Sequence, residues 1–192
     1  MGNQLFKNKY RIKSIRLKDW DYSSDGAYYI TICTKNRECL FGNIIDKKMM
    51  LNNIGEIIKQ CWYDLPNHYG NCRLDEFIIM PDHIHGIIII DNDHNHPIVV
   101  EAIHQLPLLH ELPLQKQQPL QQTRKLRRQM LIPKIIGKFK MQTTKSFHEI
   151  KNTSEKLWQR DYFEHIIRDD NELNRIRKYI INNPLKWEIN HS

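Results

Sequence analysis

His83 and His85 stand two residues apart in the run HIHGIIII. Side chains alternate between faces along a strand, so both imidazoles would leave one side of a sheet and Ile84 the other. Two imidazoles side by side on a rigid strand make half of a metal site. A bare H-x-H occurs by chance. Here, however, both histidines interrupt an otherwise Ile-rich strand, where unpartnered imidazoles would cost stability. Two core histidines bonded to backbone carbonyls are the competing reading. Tyr179 and Asn183 form a second pair, four apart and so on one face of a helix. Leu173, Ile176 and Ile180 make the apolar stripe of that helix, and Asn183 falls within it. A buried amide needs a partner, and a metal would serve. Taken alone, Asn183 reads better as a helix end before Pro184, and Tyr179 as a rim aromatic with its hydroxyl in water.

Residues 27–34, rich in aromatic and β-branched side chains, read as a buried strand. After a polar turn comes a helix with Ile54, Ile57, Ile58, Cys61, Trp62 and Leu65 on one stripe. Asn53 and Glu56 resemble a capping box at its start, and Pro66 is expected to stop it. Residues 74–80 and 83–90 are separated only by Pro81 and Asp82, which implies an antiparallel hairpin. The near-continuous isoleucines predict a central strand covered on both faces. Residues 92–130, with many Gln, Pro and His and no sustained period, read as a flexible insertion. Its irregularly spaced histidines favour no metal tract. A second helix is expected from Pro133, with Ile136, Phe139, Phe147 and Ile150 towards the core and Lys134, Lys138 and Lys145 on another face. Residues 157–160 are expected to supply a fourth strand. The last helix should start near Asp169, capped with Glu172, and end at Pro184. This order predicts one α+β domain over 1–192: a ferredoxin-like antiparallel sheet with packed helices and a C-terminal helix carrying the chemistry.

The length suits one domain with a proper core. No apolar run approaches the roughly 20 residues that span a bilayer. The basic N-terminus lacks the apolar stretch of a secretory signal, so a cytoplasmic protein without membrane contact is expected. Cys33, Cys39, Cys61 and Cys72 contain no C-x-x-C pair, which excludes a zinc ribbon or redox motif and predicts buried reduced thiols. The net charge of +7 is unevenly placed. Residues 124–148 hold Arg124, Lys125, Arg127, Arg128, Lys134, Lys138, Lys140 and Lys145 without an acid, and Lys7, Lys9, Arg11, Lys13, Arg16 and Lys18 add to the N-terminus. Such clustering suits a polyanion such as nucleic acid, although a solvated basic face accounts for it equally well.

Five blocks, TICTKNR (31–37), MPDHIHG (80–86), IIGKFK (135–140), WQRDYFEHIIRD (158–169) and YIINNPLKW (179–187), resemble the REP-associated tyrosine transposases of the HUH superfamily. The resemblance covers nearly the whole chain except about 92–130. It implies a metal motif at His83, Ile84 and His85, a single nucleophilic tyrosine at Tyr179, and Asn183 as the polar residue completing the metal shell. Asp82 stands where many members have another polar residue. The implied activity is single-strand DNA transposition: cleavage beside a hairpin through a 5′-phosphotyrosine, leaving a free 3′-hydroxyl. Mg²⁺ or Mn²⁺ would be the cofactor, imidazole softness favouring Mn²⁺ somewhat. A free tyrosine ionises near pH 10, so the metal has to stabilise the developing charge. Single-stranded or hairpin DNA is the implied partner, held by Lys134, Lys138, Lys140, Lys145, Arg160, Tyr162 and His165, with Tyr162 stacking bases and Phe163 favoured for the core. Glu164 and His165 have at most a supporting role. The alternatives are a noncatalytic hairpin-binding protein and a metal hydrolase using water. Monomer or homodimer is left open.

Overall fold

The computed structural model describes residues 20–92 and 129–191. Strand β1 (Gly26–Cys33) occupies an inner position of a four-stranded antiparallel sheet. Beyond it, in chain order, come a small hairpin of β2 (Gly42–Ile45) and β3 (Lys48–Leu51), then helix α1 (Asn53–Tyr63) and a short turn of helix α2 (Leu65–His68). The sheet's own hairpin, β4 (Cys72–Met80) and β5 (His83–Ile90), follows. Helix α3 (Leu131–Lys151) leads to β6 (Phe163–Ile167), and helices α4 (Asp170–Ile181) and α5 (Asn183–His191) end the chain. The spatial order β4-β5-β1-β6, with every neighbour antiparallel, is that of a ferredoxin-like β-α-β-β-α-β unit.

Alternation along the strands sorts side chains to two faces. Tyr28, Ile30, Ile32, Ile84 and Ile88 pack beneath α1 and α3 with Ile58, Trp62, Ile136 and Phe139. Ala27, Ile87, Ile89 and Ile167 meet Leu173, Ile176 and Ile180 of α4 on the other face. Every residue of β5 is buried, as a strand covered on both faces requires. Gly86 belongs to this packing. A Cβ there would sit 2.3 Å from the Trp62 ring, which stacks on Phe77 at 4.6 Å.

Several elements differ from the sequence expectation. Asn52, not Asn53, caps α1, its side chain accepting from the Ile54 and Gly55 amides at 3.0 Å each. α1 stops at Tyr63, ahead of Pro66, which lies in the first turn of α2. The β2–β3 hairpin occupies part of the segment read as a polar turn. Its Asp46 and Lys47 both have positive φ (49° and 62°), the primed-turn geometry that matches strand twist. Residues 157–160 form no sheet strand but only a bridge from Thr34 to Trp158, because Leu157 and Trp158 are drawn into the core. The fourth strand is β6. Ile150, expected towards the core, is instead 44% exposed. Pro184 does not end helical structure, for α5 begins at Asn183 with the proline in its first turn. All four cysteines are free, but only Cys72 is buried, and Cys39 is exposed. Among the described residues no helix is long and apolar enough to cross a membrane. Of the insertion expected over about 92–130, residues 93–128, including Arg124, Lys125, Arg127 and Arg128, lie outside the described residues, as do the basic residues 1–19; its ends are packed, with Asn92 bonded to Asp25 and Met130 buried in the core.

Candidate active site

β1 and β5 pair so that Thr31 faces His85 and Cys33 faces His83. Both imidazoles project from the face that carries α4, and they are 6% and 4% exposed. Their Nε2 atoms converge to 3.0 Å. A metal–nitrogen bond of about 2.1 Å with a right angle at the ion places two ligand nitrogens about 3.0 Å apart. The separation is that of a hydrogen bond between the rings and equally that of two nitrogens on one cation.

The outer nitrogens are held as well. His83 Nδ1 donates to the Asp82 carboxylate, which only accepts and so fixes the orientation of the ring. His85 Nδ1 lies 2.8 Å from both Thr31 Oγ1 and Tyr29 Oη. Hydroxyls accept or donate as needed. Without a cation, one Nε2–H can bridge to the other Nε2. To hold one, both Nε2 atoms would have to offer lone pairs, and His85 Nδ1–H would then donate to the hydroxyls. Burial pushes the His85 imidazolium down to about 3, with repulsion from His83 and Arg37 adding to it, so the ring stays neutral. Neutral imidazole is the form that ligates metal. Among the described residues no group of three or more His, Cys, Asp or Glu could hold a metal. Two imidazoles with an amide would leave coordination positions open to water or phosphate, which fits an exchangeable Mg²⁺ or Mn²⁺ better than a structural zinc.

Tyr179 comes from α4, whose Leu173, Ile176 and Ile180 anchor it to the sheet. Its ring lies 5.3 Å from that of His85 and 6.4 Å from that of Tyr29, edge-on in both cases, and it is 39% exposed. Tyr29 stacks on His85 at 5.6 Å. Burial holds the Tyr29 phenol well above the usual tyrosine value; a hydrogen bond from Thr31 opposes this and one with Tyr179 adds to it. Asn183 is buried (7% exposed) at the start of α5, beyond a break at Asn182. α5 also brings Trp187 to 5.8 Å from the His83 ring and the Lys186 ammonium to 5.0 Å from the Tyr179 ring.

The sequence-selected DNA-binding residues are scattered. Lys134 and Lys145 are exposed and Lys138 lies 5.9 Å over the Tyr69 ring, all on α3, which covers the sheet face opposite the histidines. Lys140 donates to the Gln159 and Arg160 carbonyls at 2.6 and 3.1 Å, and burial pushes its ammonium down to about 8. Arg160 is exposed. Tyr162 packs against the helix-side core, whereas Phe163, expected inside, is 38% exposed and meets Tyr29 at 6.0 Å on the histidine face. His165 bonds Glu172 of α4 at 2.8 Å. Tyr29 carries no site signal in the sequence by itself, and the family-like blocks 31–37 and 80–86 contain Thr31, Arg37 and Asp82 without giving their contacts. Strand parity with His85 makes Tyr29 and Thr31 legible once the β1–β5 register is known.

No family model matches the chain. A protein of Haemophilus influenzae known only as "Uncharacterized protein" is 43% identical over 180 residues, covering 92% of this chain and 89% of that one. The two belong to one family. A second H. influenzae protein, named "Putative REP-associated tyrosine transposase", is 25% identical over 167 residues, 86% of this chain and 74% of the other. Among solved structures the chain is similar to a REP-associated tyrosine transposase bound to a REP hairpin, at 14% identity and TM-score 0.49, covering 93% of this chain and 73% of that one. A "putative transposase" of Deinococcus radiodurans shares 14% identity at TM-score 0.45, with 83% and 91% covered.

Proposed function

We propose that the chain is a divalent-metal-dependent single-strand DNA endonuclease and strand transferase that cuts beside a hairpin through Tyr179. One observation carries the reading: a histidine pair whose separation suits one cation lies within ring contact of a half-exposed tyrosine on the facing helix. The Tyr179 phenol oxygen would attack the scissile phosphorus, forming a phosphotyrosine bond as the bond to the 3′-oxygen breaks. The phenol proton passes to solvent, and the departing 3′-oxygen takes one up to become a hydroxyl. The covalent link conserves the phosphoester, so a 3′-hydroxyl can reverse the step and rejoin strands. His83, His85 and Asn183 would hold Mg²⁺ or Mn²⁺, which when bound stabilises charge on a nonbridging phosphate oxygen. Asp82, Thr31 and Tyr29 keep the two imidazoles aimed at it. Single-stranded DNA flanking a hairpin is the substrate by kinship with the REP-associated enzymes, and a cytoplasmic location goes with that substrate. The test is denaturing electrophoresis after incubation with labelled hairpin oligonucleotides and Mn²⁺. A chelator-sensitive protein–DNA adduct is expected. Cleavage without an adduct would instead indicate attack by water, and binding without cleavage a noncatalytic DNA-binding protein.

A further inference from the structure

The TICTKNR segment contains a residue that the cutting chemistry above does not use. Arg37 Nε lies 2.8 Å from the Asp82 carboxylate, which also accepts from His83 Nδ1. One buried carboxylate thus joins the guanidinium to a histidine of the pair. A second Arg37 nitrogen donates to Cys33 Sγ at 2.7 Å, and the side chain remains 47% exposed. Elsewhere in the molecule Arg177 grips Asp75 with Nε and a terminal nitrogen together, the two-pronged form expected of a structural ion pair. Arg37 turns a terminal nitrogen to Cys33 instead, and nearly half of its side chain is exposed to solvent.

The backbone holds it there. Asn36 and Arg37 both have left-handed φ, 56° and 61°, a conformation that asparagine tolerates and arginine rarely adopts. The turn is overdetermined by its surroundings. Thr34 Oγ1 donates to the Glu38 and Asp82 carbonyls at 2.9 Å each, the Thr34 amide donates to Asp82, and the Lys35 amide donates to Leu157. An unfavourable backbone fixed by many bonds is a recurring feature of ligand clamps.

We infer that Arg37 is a phosphate-binding residue of the site, its half-exposed fork holding a DNA phosphodiester oxygen beside the histidine pair while Asp82 fixes its approach. A planar guanidinium suits phosphate oxygens, and a donor shared through one carboxylate keeps cation and clamp in fixed relation. The inference rests on the metal-dependent nuclease reading, so the experiment measures the two separately. Full-length protein is titrated with Mn²⁺, and the dinucleotide dTpdT is then added and followed by paramagnetic broadening of its phosphorus resonance. Arg37→Asn, which suits the left-handed backbone, should keep the parental Mn²⁺ affinity but weaken dTpdT about tenfold, the value of one charge-assisted hydrogen bond. Arg37→Lys, with the charge but not the fork, should fall between. The neutral methylphosphonate analogue should bind parent and Arg37→Asn alike, and Arg175→Asn, a control at an exposed arginine, should match the parent. Equal dTpdT affinity in parent and Arg37→Asn, or an equal loss with the methylphosphonate, overturns the assignment and leaves the metal site standing. A parent that binds no Mn²⁺ overturns the metal reading and this inference with it.

Discussion

Each imidazole of the pair has one nitrogen turned towards its neighbour and the other fixed by a polar side chain, so the rings cannot swing apart without breaking a bond. His83→Ala should therefore abolish cleavage and weaken Mn²⁺ binding measurably by calorimetry, while hairpin binding persists. Unchanged metal affinity would remove His83 from the ligand set. Removing an outer-shell partner of a ligating histidine typically costs about 10- to 100-fold in metal affinity or activity, so Asp82→Asn should fall short of the full loss. The pair itself is legible in the sequence because its signal is local. Two imidazoles with strand spacing in an isoleucine run have few explanations, and the register adds only their partners. Those partners are hidden for a physical reason. Tyr28 and Tyr29 are adjacent and look alike in sequence, yet pleat parity buries the first under α1 and α3 and sets the second against His85. Asp82 looks like a turn residue, but its carboxylate orients His83.

Among the elements, periodicity defines the long ones well, whereas short ones and their boundaries are governed by packing that sequence does not display. The β2–β3 hairpin has no apolar alternation strong enough to announce it, and Pro184 reads as a stop although a helix's first turn accepts proline equally well. What positions Tyr179 is also an interaction between elements. Arg177 on α4, two residues before Tyr179, forms a bidentate pair with Asp75 beside the bulge in β4, and the Asp75 side chain is only 5% exposed. His165 and Glu172 tie the start of the same helix to β6. Arg177→Ala would strand a buried carboxylate, so urea denaturation should show a loss of about 3 kcal/mol. An effect near zero would mean that the apolar stripe alone seats α4. The capping of α4 by Asp169 follows the sequence expectation, with Oδ1 accepting from the Glu172 amide at 2.8 Å.

At the scale of the whole molecule, the antiparallel sheet separates a packed helical side from a side bearing the histidines and Tyr179. The basic residues of α3 belong to the helical side, so DNA that touches both must extend around the edge of the sheet. Neutralising Lys134, Lys138 and Lys145 together should weaken hairpin binding and flatten the dependence of log K on log salt by about 0.7 to 0.9 for each phosphate no longer neutralised. An unaltered slope would confine DNA to the histidine side. Composition alone leaves this question even, because net charge carries no direction. The most direct test of the proposed chemistry is the site of covalent attachment. Protein trapped on a labelled hairpin oligonucleotide with Mn²⁺ can be digested and its phosphotyrosine located by mass spectrometry. Tyr162, the nearest rival on sequence grounds, packs against the helix-side core, which leaves Tyr29 as the competitor within ring contact of His85. The adduct is expected on Tyr179, and it should disappear, with cleavage, in a folded Tyr179→Phe protein. An adduct on Tyr29 or Tyr162, or parental cleavage by Tyr179→Phe, would contradict the assignment of Tyr179 as nucleophile.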